Sequence, residues 1–125
     1  MIRRAYRAFA ARDVAALRDL SDSEVEVRAM TGALVREGEP YCGHDGLDEY
    51  MRDVAEVWDE LELVPGEFHD LDSGETLVFG RARARLGSTL VDSPNIWLWR
   101  LRESKILSAS VLGDTESALA LLRAR

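Results

Sequence analysis

The sequence predicts an α+β fold, in which helices pack against one face of a curved, mainly antiparallel sheet. Apolar residues recur every three or four positions in the predicted helices, but at about every second position between residues 60 and 113. The stretches of period two follow one another through short connections, which favours antiparallel pairing. The predicted order is helix, helix, strand, helix, four strands and a final helix, a layout that buries the helices on one side of the sheet.

The chain begins with two predicted helices and a strand. The first helix ends near Arg12, and its apolar positions are Ile2, Ala5, Tyr6, Phe9 and Ala10. Asp13 carries the side chain of an N-cap for a second, short helix with Val14, Leu17 and Leu20 on its apolar face. Residues 24–30 then alternate between polar and apolar, which predicts a strand.

Residues 32–46 are rich in glycine, proline and charge, which predicts a loop. Asp45 is the predicted N-cap of a third helix after this loop. The helix has one apolar side, formed by Leu47, Tyr50, Met51, Val54, Trp58 and Leu61.

Four strands and a helix complete the predicted elements. The strands cover about residues 60–71, 75–87, 91–102 and 105–113. Asp72, Ser73 and Gly74 form a hairpin-like turn between the first two of them. Asp114 is the predicted N-cap of the last helix, whose apolar stripe is Ala118, Leu119 and Leu122.

Composition limits the class of protein and its partners. A chain of 125 residues fits one domain over residues 1–125, and 46% apolar residues argue against disorder. A net charge of -7 argues against binding to nucleic acid or to anionic membranes, so the arginines around Arg83 are interpreted as a solvated or subunit-facing surface. A single cysteine, Cys42, indicates a reducing compartment, and the cytoplasm is the predicted location. No apolar run is long enough to span a bilayer.

Two neighbouring strands combine small residues with tryptophans. Gly80, Ala82 and Ala84 lie on one face of their strand, and Trp97 and Trp99 lie on one face of the next. If these faces coincide, the indole rings occupy the space that the small residues leave open. The sequence leaves two interpretations of this arrangement, a pocket lined by aromatic rings or rings that simply fill the core.

Several runs carry a resemblance to a known family. They are Ala-Phe-Ala-Ala-Arg-Asp-Val-Ala-Ala-Leu at 8–17, Tyr-Cys-Gly-His-Asp-Gly-Leu at 41–47, Ser-Gly-Glu at 73–75 and Trp-Arg-Leu-Arg-Glu-Ser-Lys-Ile at 99–106. In order and spacing they resemble the nuclear-transport-factor-two-like superfamily, and within it the SnoaL-like polyketide cyclases and ketosteroid isomerases. The resemblance covers nearly the whole chain. It implies a cone-shaped half-barrel with helices packed on the concave face of the sheet.

The resemblance also implies a ligand site and a subunit interface. A small hydrophobic or aromatic molecule is expected inside the cone, without cofactor or metal. A homodimer is expected through the outer sheet face, where Ile96 and Leu98 would point outward. The residues expected to contact the ligand are Tyr6, Tyr50, Met51, Trp58, Ala82, Trp97, Trp99 and Val111.

Whether the chain is an enzyme stays open at this stage. Tyr6 aligns with the helix-one tyrosine of the ketosteroid isomerase oxyanion hole, but the two aspartate positions of that mechanism fall near Ala29 and at Trp97, which argues against steroid isomerisation. His69 shares its parity with Leu71 and is the candidate base if it points inward. The hypotheses are cofactor-free isomerisation, cyclisation or hydration with His69 and Tyr6, a non-catalytic ligand-binding or dimerisation module, or a closed scaffold for a protein partner.

Overall fold

A computed structural model of the chain describes residues 1–113 and 118–120. Within these residues the helices are α1 (Ile2–Ala10), α2 (Val14–Leu20), α3 (Met30–Val35) and α4 (Gly43–Val57). The strands are β1 (Ser21–Arg28), β2 (Tyr41–Cys42), β3 (Glu60–Asp70), β4 (Thr76–Leu86), β5 (Thr89–Arg102) and β6 (Lys105–Leu112). The predicted α+β class is confirmed, and the four C-terminal strands lie close to their predicted positions.

The six strands form one sheet with the order β2-β1-β6-β5-β4-β3. Strands β3 to β6 are joined as consecutive antiparallel hairpins, and β1 joins the far side of β6 in parallel. The turn at Asp72, Ser73 and Gly74 adopts the predicted hairpin role, with Gly74 at a positive φ of 90°. Long hairpins therefore make up most of the sheet, as the short predicted connections indicated.

Side chains that hydrogen-bond to the backbone hold the end of α1 and the start of α2 in place. Asp13 caps α2 as predicted, because its Oδ1 accepts a hydrogen bond of 3.0 Å from the Ala16 N–H. Arg12, at a positive φ of 55°, donates to the Phe9 carbonyl at 2.7 Å and to the Leu61 carbonyl at 2.6 Å. This guanidinium ties the end of α1 to β3 and so holds the helix against the sheet.

The predicted loop at residues 32–46 is wrong in part, since α3, β2 and the start of α4 lie within or overlap it. The helix α4 begins at Gly43, with Cys42 as its N-cap, and Asp45 lies in the first turn and does not cap it. Contacts distant in sequence hold this region: the Trp58 indole N–H donates to the Thr31 hydroxyl at 3.0 Å. Such contacts do not appear in local periodicity, which explains the error.

Apolar residues on the concave face of the sheet form the main core together with α1, α2 and α4. From the strands this core takes Val25, Val27, Leu61, Val78, Ala84, Trp97, Trp99, Ile106 and Ala109. The convex face carries a smaller cluster of Leu77, Ile96 and Ala118, with Phe79, Leu98 and Leu112 packed against it. The sheet thus has an apolar patch on each side.

The convex patch is partly covered by the chain itself. Ile96 and Leu98 belong to this patch, as predicted, but Ile96 packs with Ala118 and is 3% exposed. Residues 118–120 are helical, whereas Asp114 and Leu122 of the predicted last helix lie outside the described residues. Leu98 is only partly buried and is the more accessible of the two predicted interface residues.

An irregularity in β3 changes which side chains face the core. The pairing of β3 with β4 shifts between Pro65 and Glu67, at Gly66. Because one residue is inserted here, the alternation of inward and outward side chains reverses. Leu63 packs against the main core before the shift, and Phe68 does so after it.

The arginines of β4 are paired with carboxylates on the convex face. Arg83 lies 3.5 Å from Glu62, and Arg81 lies 2.7 Å from Asp92. Arg85 similarly approaches Glu60 at 3.6 Å. These exposed pairs contribute little to stability, but they neutralise the basic stripe that the sequence places on β4.

No helix among the described residues is long and apolar enough to cross a membrane.

Candidate functional site

A cavity of about 50 Å³ lies between the helices and the concave face of the sheet. Its walls come from α1, α2, α4 and four of the strands, and none of the lining residues in the described part of the chain is charged. The lining consists of Ala5, Tyr6, Phe9, Leu17, Ser21, Val25, Val27, Leu47, Tyr50, Leu63, Trp97, Trp99, Ile106 and Ala109. The site is therefore an apolar interior with a few hydroxyl and indole groups.

Four of the predicted ligand-binding residues line this cavity: Tyr6, Tyr50, Trp97 and Trp99. Tyr6 comes from α1 and Tyr50 from α4, and the tryptophans come from alternate positions of β5. Helical and strand periodicity had placed all four on apolar faces, and the fold brings those faces together.

The other four predicted residues do not line the cavity. Met51 lies in a surface groove with Val14, because it follows Tyr50 on α4 and points about 100° away from it. Trp58 lies beyond the end of α4 and pairs with Thr31. Ala82 is buried on β4 and Val111 packs against the core, but neither reaches the cavity.

Most of the aliphatic residues in the cavity wall are not among the residues predicted to contact a ligand. The period of α1 had already marked Ala5 and Phe9 as apolar, and that of β1 had marked Val25 and Val27. These signals identify buried positions, but they do not distinguish a residue that borders a void from one packed on all sides. That distinction depends on the tertiary packing.

The small residues of β4 do not create the space beside the tryptophans. Both sets share the concave face, but Trp97 pairs with Val78 and Trp99 with Thr76, whereas Gly80 pairs with Asn95. Gly80 instead lacks a side chain because a Cβ there would overlap the Val64 carbonyl oxygen. The indole rings therefore do not fill the space beside the small residues, because the two sets share a face but are not paired across the strands.

The two cavity tryptophans differ in their hydrogen bonding. Their rings lie 6.1 Å apart between centroids, tilted by 39°. The Trp97 indole N–H donates to the side-chain oxygen of the buried Asn95 at 2.6 Å. The Trp99 Nε1 is also buried but has no hydrogen-bond partner among the described residues.

Two tyrosines contribute hydroxyl groups. The Tyr6 ring lies 5.5 Å from the Trp99 ring, and the Tyr50 ring lies 5.8 Å from the Phe9 ring. Burial raises the pKa of Tyr6 to about 12, although the neighbouring Trp99 indole lowers it in part. Burial also raises the pKa of Tyr50 well above its ordinary value. Both phenols are therefore neutral at pH ~7 and able to donate hydrogen bonds.

His69 does not lie in the cavity, so the inward orientation on which its role as candidate base depends is not found. Its ring contacts Phe79 of the convex patch at 5.5 Å between centroids, and its Nε2 lies 3.2 Å from a Glu67 carboxylate oxygen. The shift at Gly66 is the physical reason, because it turns Phe68 inward and His69 outward. The histidine is separated from the cavity by the sheet.

The lining offers no proton acceptor that titrates near neutral pH. Asp, Glu, His and Lys are absent from the cavity walls within residues 1–113 and 118–120. Across the same residues, no group of three or more His, Cys, Asp or Glu side chains is arranged to hold a metal ion. Hydrogen-bond donation in an apolar enclosure is the chemistry that these walls supply.

Solved structures share this fold. TerC, co-crystallised with polyporic acid, is 23% identical over 98% of this chain and 95% of its own, with a TM-score of 0.79. An NTF2-like protein of unknown function from Burkholderia pseudomallei is 21% identical over 96% and 92%, with a TM-score of 0.78. A putative polyketide cyclase from Sinorhizobium meliloti is 14% identical over 89% and 92%, with a TM-score of 0.71.

No protein-family model and no curated protein matches the sequence. The structural likeness nevertheless extends over nearly the whole chain and joins NTF2-like, polyketide cyclase and ketosteroid-isomerase-like neighbours. The expected nuclear-transport-factor-two-like fold is therefore confirmed.

Proposed function

We propose that this chain, which has the nuclear-transport-factor-two-like fold, binds a small hydrophobic or aromatic molecule between its helices and the concave face of the sheet. The observation that carries the proposal is the cavity wall, which combines two indoles and two phenols with aliphatic side chains and no charge in the described residues. Enclosed apolar sites with a few polar groups are typical of small-molecule binding. The co-crystallisation of TerC with polyporic acid supports the choice of aromatic compounds as probes.

The size of the cavity indicates how binding must proceed. A volume of about 50 Å³ is about one third of the roughly 150 Å³ that accommodates benzene in an engineered protein cavity. An aromatic ligand therefore has to displace part of the wall. We expect binding to select a wider conformation of the site.

The residues of the site favour ligand binding without catalysis. His69 lies on the convex side, and the lining described here lacks a group that exchanges protons near pH ~7. Cofactor-free isomerisation, cyclisation or hydration is the second candidate, and the polyketide cyclase and ketosteroid-isomerase-like neighbours support it. In that case Tyr6 would polarise a carbonyl group of the ligand.

Tryptophan fluorescence tests ligand binding directly. We expect saturable quenching when the protein is titrated with aromatic compounds such as naphthalene derivatives and polyporic acid. Trp97→Phe and Trp99→Phe together should abolish the quenching, because both rings line the cavity.

Trp58→Phe is the matched control for that titration. Trp58 is the remaining tryptophan and bonds to Thr31 outside the cavity, so its replacement should leave the titration curve unchanged. Quenching that survives in the double variant, or no response to any compound, would contradict the proposal.

We also propose that two copies of the chain associate through the convex sheet face. The apolar patch there leaves Leu98, Phe79 and Leu112 only partly buried. Alternating charged pairs such as Arg81 with Asp92 lie on the same side, so the surface presents both signs of charge to a partner. A two-fold interface requires such a self-complementary surface.

Leu98→Glu should convert the dimer into a monomer in analytical ultracentrifugation, because it places a charge in the apolar patch. Leu34→Glu is the control, since Leu34 lies on α3 away from this face and is already 59% exposed. A dimer that persists in Leu98→Glu, or a wild-type protein that sediments as a monomer, would exclude this interface.

A cytoplasmic location is part of the same proposal. Cys42 is the single cysteine of the chain and is exposed as a free thiol. Exposed free thiols persist best in reducing compartments, which supports the cytoplasm.

A further inference from the structure

The indole N–H of Trp99 is a buried donor without a partner. The residue is only 9% exposed, and its Nε1 has no hydrogen bond to any atom in the described part of the chain. Leaving a buried donor unpaired is unfavourable, and such groups are rare in folded proteins. The donor is therefore placed to pair with an acceptor that the described residues do not supply in full hydrogen-bonding geometry.

The other tryptophans show that this feature is particular to Trp99. The Trp58 indole donates to the Thr31 hydroxyl at 3.0 Å, and the Trp97 indole donates to Asn95 at 2.6 Å. Trp97 and Trp99 lie on the same face of the same strand and line the same cavity. Among the described residues, the Trp97 indole N–H has a hydrogen-bond acceptor and the Trp99 indole N–H has none.

A second donor lies next to the first. The Tyr6 and Trp99 rings are 5.5 Å apart between centroids, and both line the cavity. The Trp99 indole approaches the Tyr6 hydroxyl closely enough to lower its pKa as a hydrogen-bond donor, but among the described residues it does not reach full hydrogen-bonding geometry. Both groups are thus free to donate to a third atom.

We propose that Trp99 is a specificity-determining residue of the cavity, where its indole N–H acts with the Tyr6 hydroxyl to select apolar ligands that carry a neutral oxygen acceptor. This inference rests on the proposed function. A carbonyl or ether oxygen fits, because it satisfies two donors and brings no charge into the cavity. An anionic ligand fits less well, since the described lining contains no cation to balance it.

A pair of ligands with one skeleton tests the role of Trp99. 1-Tetralone and tetralin share two fused rings and differ in the carbonyl oxygen. We expect wild-type protein to bind 1-tetralone about tenfold more tightly than tetralin, as measured by isothermal titration calorimetry. Trp99→Phe should reduce this preference to about threefold, because the Tyr6 hydroxyl remains as the second donor.

Trp58→Phe is the control, because Trp58 lies outside the cavity and its indole N–H donates to the Thr31 hydroxyl. This variant should keep the tenfold preference for 1-tetralone. Tyr6→Phe should reduce the preference as Trp99→Phe does, since it removes the second donor.

Nuclear magnetic resonance of the indole N–H groups gives a readout that a packing role would not change. On addition of 1-tetralone, the Trp99 indole proton should shift downfield, while the Trp58 proton, outside the cavity, keeps its position. Tetralin should produce no such shift at Trp99.

The outcomes separate this inference from the proposed function. If neither compound binds the wild-type protein, both the proposed function and the selectivity are overturned. If both bind with equal affinity, or if the full tenfold preference survives in Trp99→Phe, the cavity binds ligands but Trp99 does not select them. A downfield Trp99 indole proton in the free protein would also overturn the inference, because its donor would already be in use.

Discussion

Replacing Gly80 with alanine is expected to lower the free energy of unfolding by about 3 kcal/mol. A Cβ at Gly80 would overlap the Val64 carbonyl oxygen and lie 3.2 Å from the Pro65 Cα. Both neighbours are backbone atoms of β3, so relief requires that the two strands separate. Chemical denaturation monitored by circular dichroism measures the effect.

Gly113→Ala is the control for the Gly80 substitution. Among the described residues, no atom lies within 4 Å of the position that a Cβ would take at Gly113, and its backbone is not in the left-handed region. We expect its unfolding free energy to stay within about 0.5 kcal/mol of the wild type. A Gly80→Ala protein as stable as Gly113→Ala would show that β3 and β4 do not approach as closely as described.

Alkaline pH is expected to destabilise the protein through its tyrosines. Burial raises the pKa of Tyr6 and of Tyr41 to about 12, and raises that of Tyr50 further. Since a phenol in the unfolded chain titrates near pH ~10, the folded state holds these protons more tightly. Stability is therefore full below pH ~10 and falls as the pH rises toward 12. For Tyr6, a shift to a pKa of about 12 corresponds to a loss of about 2 to 3 kcal/mol.

Ultraviolet absorbance of tyrosinate checks this prediction, because the chain contains only 3 tyrosines and all of them are affected. The tyrosine phenols should ionise only above pH ~10, over the same pH range in which circular dichroism shows the loss of structure. Tyr6→Phe should make the unfolding free energy less dependent on pH in this range. Ionisation of all three phenols near pH ~10 in a folded protein would contradict the prediction.

Local signals in the sequence were sufficient for most secondary structure. The Asp13 cap and the turn at 72–74 depend on contacts within a few residues, and both are where the sequence placed them. Strand periodicity likewise located β3 to β6. By contrast, α3 was missed because it packs against α4 and Trp58, which are distant from it in sequence.

The candidate site was predicted only in outline. Tyr6, Tyr50, Trp97 and Trp99 were expected at a cavity and do line one. His69 was assigned to the wrong side of the sheet, because strict alternation fails across the irregularity at Gly66.

The fold class, the four C-terminal strands and most of the apolar faces that meet inside the protein can be predicted from the sequence, because periodicity and turn residues act over short distances. Three other properties appear only in the folded chain: the register of β3 against β4, the small size of the cavity, and the lack of a hydrogen-bond partner for the Trp99 indole among the described residues. These properties depend on contacts between residues far apart in the chain. No local pattern records such contacts.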